Sequence, residues 1–164
     1  MLFESEYLYV DDISQTEISA VVQVYNSNRD FLVKHMRTDS VTAQCVFDEL
    51  ESMRKLGFTS CKVTAKDTNR IVGIIDFKVD EESYLSLLMI HTHYANRGLG
   101  KQVYEAFEEY ASFRGSKQIK LDVVTSYTDK VLSFWTRNGF HKSEDISLNW
   151  NGAILPAVTM LKSL

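Results

Sequence analysis

The residues best suited to chemistry lie in one stretch, Leu87-Leu-Met-Ile-His-Thr-His-Tyr-Ala-Asn-Arg-Gly-Leu-Gly-Lys101, where an apolar run gives way to a glycine turn and then to an amphipathic helix. Such a turn suits an anion. The first peptide N–H groups of a helix have no internal partners and sit at the positive end of its dipole, while Gly98 and Gly100 let backbone approach a phosphate closely. Arg97 and Lys101 add positive charge. A tight strand-to-helix connection that holds no ligand uses the same glycines, so the context decides. A nucleotide-binding loop of the Walker type is excluded, because Gly100 and Lys101 are followed by Gln102 and the glycine spacing is short. A dinucleotide fingerprint needs a third glycine where Val103 stands.

Positioning such a turn requires a strand before it and a helix after it, and the hydrophobic periodicity supplies both. Ser83 to His91 reads as the strand; Val103, Ala106, Phe107, Tyr110 and Ala111 recur at helical spacing until Gly115. Upstream, a first strand is expected over 6–13. Ser14 with Glu17 forms a capping-box signal for a helix whose buried stripe is Ile18, Val21, Val22 and Tyr25. After the polar stretch Asn26 to Asp39, Ser40 is the expected cap of a second helix with Ala43, Val46, Phe47, Leu50 and Met53 on its apolar face, closed by Gly57. Val63 and Ala65, then Ile71 to Phe77, form a hairpin about the turn at 66–69. Downstream, Ile119, Leu121 and Val123 mark a strand with one buried face. Val131, Phe134 and Trp135 mark a short helix ended by Gly139, and Asn151-Gly152 is the turn of a closing hairpin. The order predicts an α/β sandwich: one mixed sheet of six to seven strands flanked by about four helices, with parallel pairing across both late helices.

Composition narrows the possibilities. A chain of 164 residues, 45% of them apolar, buries roughly 70% of its unfolded surface as one unit, so a single domain over 1–164 is expected. Apolar runs are far shorter than a membrane span, and the acidic start carrying Glu4, Glu6, Asp11 and Asp12 is unlike a secretory signal. A cytoplasmic protein with no membrane partner is therefore expected. A net charge of −4 with scattered Lys and Arg lacks the basic stripe of a nucleic-acid binder and tolerates cationic partners, amines among them. The acidic run Asp80, Glu81, Glu82 is read as a solvated turn between strands, and Cys45 and Cys61 as core thiols.

Beside this reading, the chain resembles the GNAT superfamily of acetyl-coenzyme A-dependent N-acetyltransferases. Ala95 to Gly100 fits the frame of that family's pyrophosphate loop, Gln or Arg, two residues, Gly, one residue, Gly or Ala, except at its first position. The strand ending Leu-Leu-Met-Ile, the strand at 117–124, and Phe134-Trp-Thr-Arg-Asn-Gly-Phe140 extend the resemblance over roughly 58–163. It implies a GNAT-like fold whose strand before the loop splays from its parallel neighbour, so that the acyl-pantetheine arm enters between Leu88 to Ile90 and Leu121 to Thr125. It further implies that Leu88, Met89 and Ile90 line the arm, with the N–H near Leu88 facing the thioester oxygen. Arg97, Gly98, Leu99, Gly100 and Lys101 would hold the pyrophosphate, with contributions from Thr128 and Trp135 on the later helix. Acetyl-coenzyme A is the implied co-substrate, and no metal is implied.

Departures from the family pattern fall on the proton-handling roles. Ala95 removes one phosphate contact, for which Arg97 is the expected compensation. Trp135 stands where the family often places a tyrosine acid, and an indole N–H is no acid. Thr128 stands where an Asn is frequent. Tyr127 is the candidate replacement acid, and His91, the nearest group with a suitable pKa, the candidate base. His91 and His93 lack a third metal ligand. Asp48, Glu49 and Glu51 are further groups able to orient an amine, and 25–36 is read as a wall of the acceptor site. The implied function is acetyl transfer by direct attack of a primary amine of a small molecule, amino acid or peptide. The alternative is a non-catalytic acyl-coenzyme A-binding module, and a homodimer through the last strands is the default assembly.

Overall fold

The computed structural model describes residues 1–126, 128–150 and 152–164. Among these, eight strands form one sheet in the order β1-β2-β3-β4-β5-β6-β8-β7. In chain order the elements are β1 (Phe3–Glu4), β2 (Leu8–Asp12), α1 (Ile18–Ser27), α2 (Arg29–Phe31), α3 (Ala43–Lys55), β3 (Thr59–Ala65), β4 (Ile71–Lys78), β5 (Glu82–Ile90), α4 (Leu99–Phe113), β6 (Gln118–Val124), α5 (Lys130–Arg137), β7 (His141–Trp150) and β8 (Ala153–Ser163). Neighbouring strands are antiparallel except β5 and β6, which are joined by α4 and run parallel. The expected second parallel pairing, across α5, does not form. The tight β7–β8 hairpin makes those strands antiparallel, and β8 inserts beside β6, leaving β7 parallel to β6 in direction but at the sheet edge. The turn residue Asn151 lies outside the described residues; Gly152 supplies φ of 82° there.

The sheet is covered on both faces. One face packs Ile75, Phe77, Leu85, Ile119 and Leu121 against α4, whose Val103, Tyr104 and Phe107 are at most 1% exposed, and against Trp135 and Phe140. The other packs Ile74 and Met89 against Val21, Val24 and Tyr25 of α1, Leu32, and Val46 of α3. Each such side chain contributes roughly 1.5–3 kcal/mol by leaving water. In α1, Val24 is buried beside Val21 and Tyr25, whereas Ile18 and Val22 are half-buried at the flank of the stripe. The capping signal is realised: Glu17 accepts hydrogen bonds from the Ser14 N–H (2.9 Å) and hydroxyl (2.8 Å).

Three local expectations are corrected. Thr42, not Ser40, caps α3 by accepting from the Cys45 N–H. The reason lies in the loop, where Thr38 holds the Ser40 carbonyl and Asn26 grips both the N–H and the C=O of Val41, keeping the chain extended past Ser40. Cys45 is consequently an exposed first-turn residue rather than a core thiol, whereas Cys61 is buried. The polar interhelix stretch is also more than a loop, since α2 runs into a π-helical turn at Leu32–Met36 that buries Leu32 and His35.

Candidate active site

β5 and β6 are in register only from Glu82 to Tyr84 against Gln118 to Lys120, and beyond that the strands part. On the β4 side, Asp76 and Phe77 face Leu87 and Leu85, so Ser86 is an extra residue that bends β5 away. On the other side, β6 stays paired with β8 along its whole length. The gap between them is a cleft of about 320 Å³ lined by Leu85 to Ile90 and Leu121 to Val124, and walled by Trp135, Trp150, Asn28, Phe31 and His35. Its edges carry peptide groups with no ladder partner across the gap, an arrangement that receives an extended chain as an added strand. Asn28 at the end of α1 donates to the Ile90 carbonyl at 3.0 Å, and Ser27 accepts from the Thr92 N–H at 3.1 Å.

The cleft leads to the glycine turn. Asn96 and Gly98 adopt left-handed backbone, φ 61° and 77°, and Gly98 caps α4. A Cβ at Gly98 would meet nothing within 4 Å, so glycine is required there for its conformation rather than for room. The first helical bond runs from the Gln102 N–H to the Gly98 carbonyl, which leaves the N–H groups of Leu99, Gly100 and Lys101 without helical partners. They open on a groove of about 710 Å³ whose far wall is Phe134, Arg137 and Asn138 of α5. Arg97 does not border this groove; its guanidinium lies over the Tyr94 ring, 5.7 Å from the centroid. Lys101 is exposed and 3.7 Å from Glu105. Arg137 was not singled out from the sequence, although its helical spacing of three from Phe134 places both on one face of α5.

The expected proton-handling residues are dispersed. His91 follows the last residue of β5, and its Nδ1 accepts from the His93 N–H at 3.1 Å. Partial burial and the neighbouring His93 hold it below the ordinary histidine pKa. The cleft lining stops at Ile90. Tyr127 lies outside the described residues. The Thr128 hydroxyl accepts from the Lys130 N–H, a capping role at the start of α5. Trp135 is 7% exposed, with Tyr104, Phe134 and Phe140 edge-on to it, and it borders the cleft from the core side. Leu88 faces Ile75 across the ladder, its side chain against the α4 core.

The sequence reading passed over Asp76. It sits in the apolar run Ile71 to Phe77 on β4, directly across the ladder from Leu87, and is 5% exposed. It borders a cavity of about 20 Å³ together with Tyr25, Glu49 of α3, Leu87 and Trp150. Burial, reinforced by Glu49, pushes its carboxyl up to about 6, while Ser60 opposes the rise. Of the acidic residues proposed to orient an amine, Glu49 reaches this cavity; Glu51 instead pairs with Arg54 at 2.7 Å, and Asp48 accepts from Gln44 at 2.8 Å.

Comparison with known proteins identifies the class of enzyme to which this splayed parallel pair and glycine-capped helix belong. The model of the acetyltransferase (GNAT) family matches residues 22–140. The chain belongs to this family of acyltransferases. No curated protein sequence matches it. Among solved structures, an acetyltransferase from Thermus thermophilus is similar at 20% identity and a TM-score of 0.78, over 96% of this chain and 97% of that one. The ribosomal-protein-S18-alanine N-acetyltransferase of Escherichia coli is similar at 14% identity and a TM-score of 0.71, over 95% and 93%. The spermidine N-acetyltransferase of Vibrio cholerae, solved with CoA and spermine, is similar at 11% identity and a TM-score of 0.75, over 96% and 95%. These likenesses establish the GNAT fold. No helix among the described residues is long and apolar enough to cross a membrane.

Proposed function

We propose that the protein transfers an acetyl group from acetyl-coenzyme A to a primary amine of a small molecule, amino acid or peptide, by direct attack. The observation that carries this reading is the opening between β5 and β6, which ends at the unpartnered N–H groups of Leu99, Gly100 and Lys101. The thioester supplies the activated acyl carbon. The apolar cleft would hold the pantetheine arm against the free edges of Leu88 to Ile90, and the α4 N-terminus with Arg137 would hold the phosphates. Backbone N–H near Leu88, fixed by the β4–β5 ladder, would face the oxygen on which negative charge develops, without reorganisation during reaction. Lys101 lies at the rim of the groove, and Arg97, over the Tyr94 ring outside it, would attract an anion through solvent.

Calorimetric titration with acetyl-coenzyme A, followed by thiol release over a panel of amines, tests the proposal. Micromolar binding together with amine-dependent release is expected. Binding without release for any amine would reduce the protein to an acyl-coenzyme A-binding module, and a folded protein that does not bind would end the reading.

A further inference from the structure

We propose that Asp76 receives the proton of the acceptor's ammonium group, and that the acceptor is a primary alkyl- or arylalkylamine whose apolar body lies against Phe31 and Trp150. This rests on the acetyl-transfer reading above and assigns its acceptor side.

Three features of the molecule meet here. Phe31, Ser86, Leu87 and Trp150 border both the splayed cleft and the small cavity holding Asp76, so the two adjoin across these four residues. The Asp76 position is set by the ladder, directly across from Leu87 and hence one residue from Leu88, beside which the thioester is placed. The cavity of about 20 Å³ admits roughly one water-sized group, which is an ammonium head and not its stem. The stem must remain in the cleft, where Phe31 stacks on His35 with centroids 4.4 Å apart and Trp150 stands edge-on to His35 at 5.6 Å. Aromatic faces suit an apolar body that carries a cation.

The charges around Asp76 point the same way. From α3 comes Glu49; from α1, Tyr25, kept neutral by burial and by Asp76 itself; from β3, the thiol of Cys61, pushed up by burial; from the π-turn, His35, held below the ordinary histidine pKa by burial. No Lys or Arg is among the described residues bordering the cavity. A cationic head is therefore attracted, and an acceptor with a carboxylate beside its amine is repelled by Asp76 and Glu49.

In the step itself, the ammonium N–H bond breaks and its proton passes to the Asp76 carboxylate. The freed lone pair forms the C–N bond to the thioester carbon. The C–S bond then breaks with its electron pair on sulfur, which takes the second amine proton to leave as thiol, and Asp76 returns its proton to solvent. One proton is released per amide formed.

The test compares wild type with Asp76→Asn, nearly isosteric, and Glu49→Gln. With coenzyme A bound, calorimetric affinity for n-butylammonium should fall at least tenfold in Asp76→Asn, while acetyl-coenzyme A affinity stays within twofold. In turnover of n-butylamine, kcat/KM should fall at least 100-fold in Asp76→Asn, and in Glu49→Gln its rising limb near pH 6 should move to lower pH. Wild type should prefer n-butylamine to glycine by at least tenfold. Unchanged butylammonium affinity, an unmoved limb in either variant, or a preference for glycine would overturn the assignment. Failure of wild type to bind acetyl-coenzyme A would instead strike the parent reading.

Discussion

The Asn28 side chain donates to the Ile90 carbonyl across 3.0 Å, tying the end of α1 to the last residue of β5 before the glycine turn. The same amide donates to the Val24 carbonyl at 2.9 Å, so one side chain closes a helix and pins the strand edge that borders the cleft. Replacing Asn28 with Ala leaves the Ile90 carbonyl without this donor, while the Val24 carbonyl keeps the Ser27 hydroxyl at 2.8 Å, and should destabilise the fold by about 1–3 kcal/mol. The urea midpoint should fall with an unchanged slope; an unchanged midpoint would show that water replaces both bonds without loss.

Gly98 holds φ of 77° in open space, so Gly98→Ala should cost about 1 kcal/mol of stability through backbone strain alone. Gly98→Asp adds a negative charge at the helix N-terminus and should in addition weaken acetyl-coenzyme A binding at least tenfold. Calorimetry on the two variants separates strain from charge, and equal affinities would deny the cradle its phosphate.

Arg137 borders the phosphate groove while Arg97 lies over Tyr94. Arg137→Ala should therefore lower coenzyme A affinity about tenfold, lower the affinity for a phosphate-free pantetheine fragment hardly at all, and flatten the salt dependence. Arg97→Ala should do less on all three measures. The reverse ranking would restore Arg97 as the replacement for the contact missing at Ala95.

The buried Asp76 makes stability depend on pH. Its folded pKa of about 6 lies above the ordinary carboxylate value of 3.8, so the folded state holds the proton more tightly than the unfolded chain does. The contribution is fully present below the unfolded value and is lost as pH rises through 6. A gap of about two pH units at roughly 1.4 kcal/mol each gives about 3 kcal/mol. Urea unfolding from pH 4 to 7 should show wild type losing about that much relative to Asp76→Asn; parallel profiles would mean that Asp76 is not desolvated.

The glycine turn, the strand before it and α4 after it were legible in the sequence, because positive φ and helical apolar spacing are local properties of Gly98 and of Val103 to Ala111. Asp76 was passed over although its signal was present, a lone carboxylate inside a strand-length apolar run. Burial by α1 and α3, some thirty to fifty residues upstream, is what gives it an unusual pKa. Arg137 was legible only as a helical surface residue, since the groove it faces is formed by a turn about forty residues earlier. Ser40 failed as a helix cap because Asn26 holds Val41 extended, a long-range contact with no local trace.

By itself the sequence determined the order of the elements other than β1 and α2, the phosphate-suited turn and the resemblance of this chain to the acetyltransferases, because these follow from residue types at short spacing. Only the tertiary structure decided that β8 inserts beside β6, that the extra residue Ser86 bends β5 away from β6, and that Asp76, Phe31 and Trp150 meet at one cavity. Each of these depends on which strands pair and on which helix covers which face, and pairing between distant segments is set by the packing of the whole sheet.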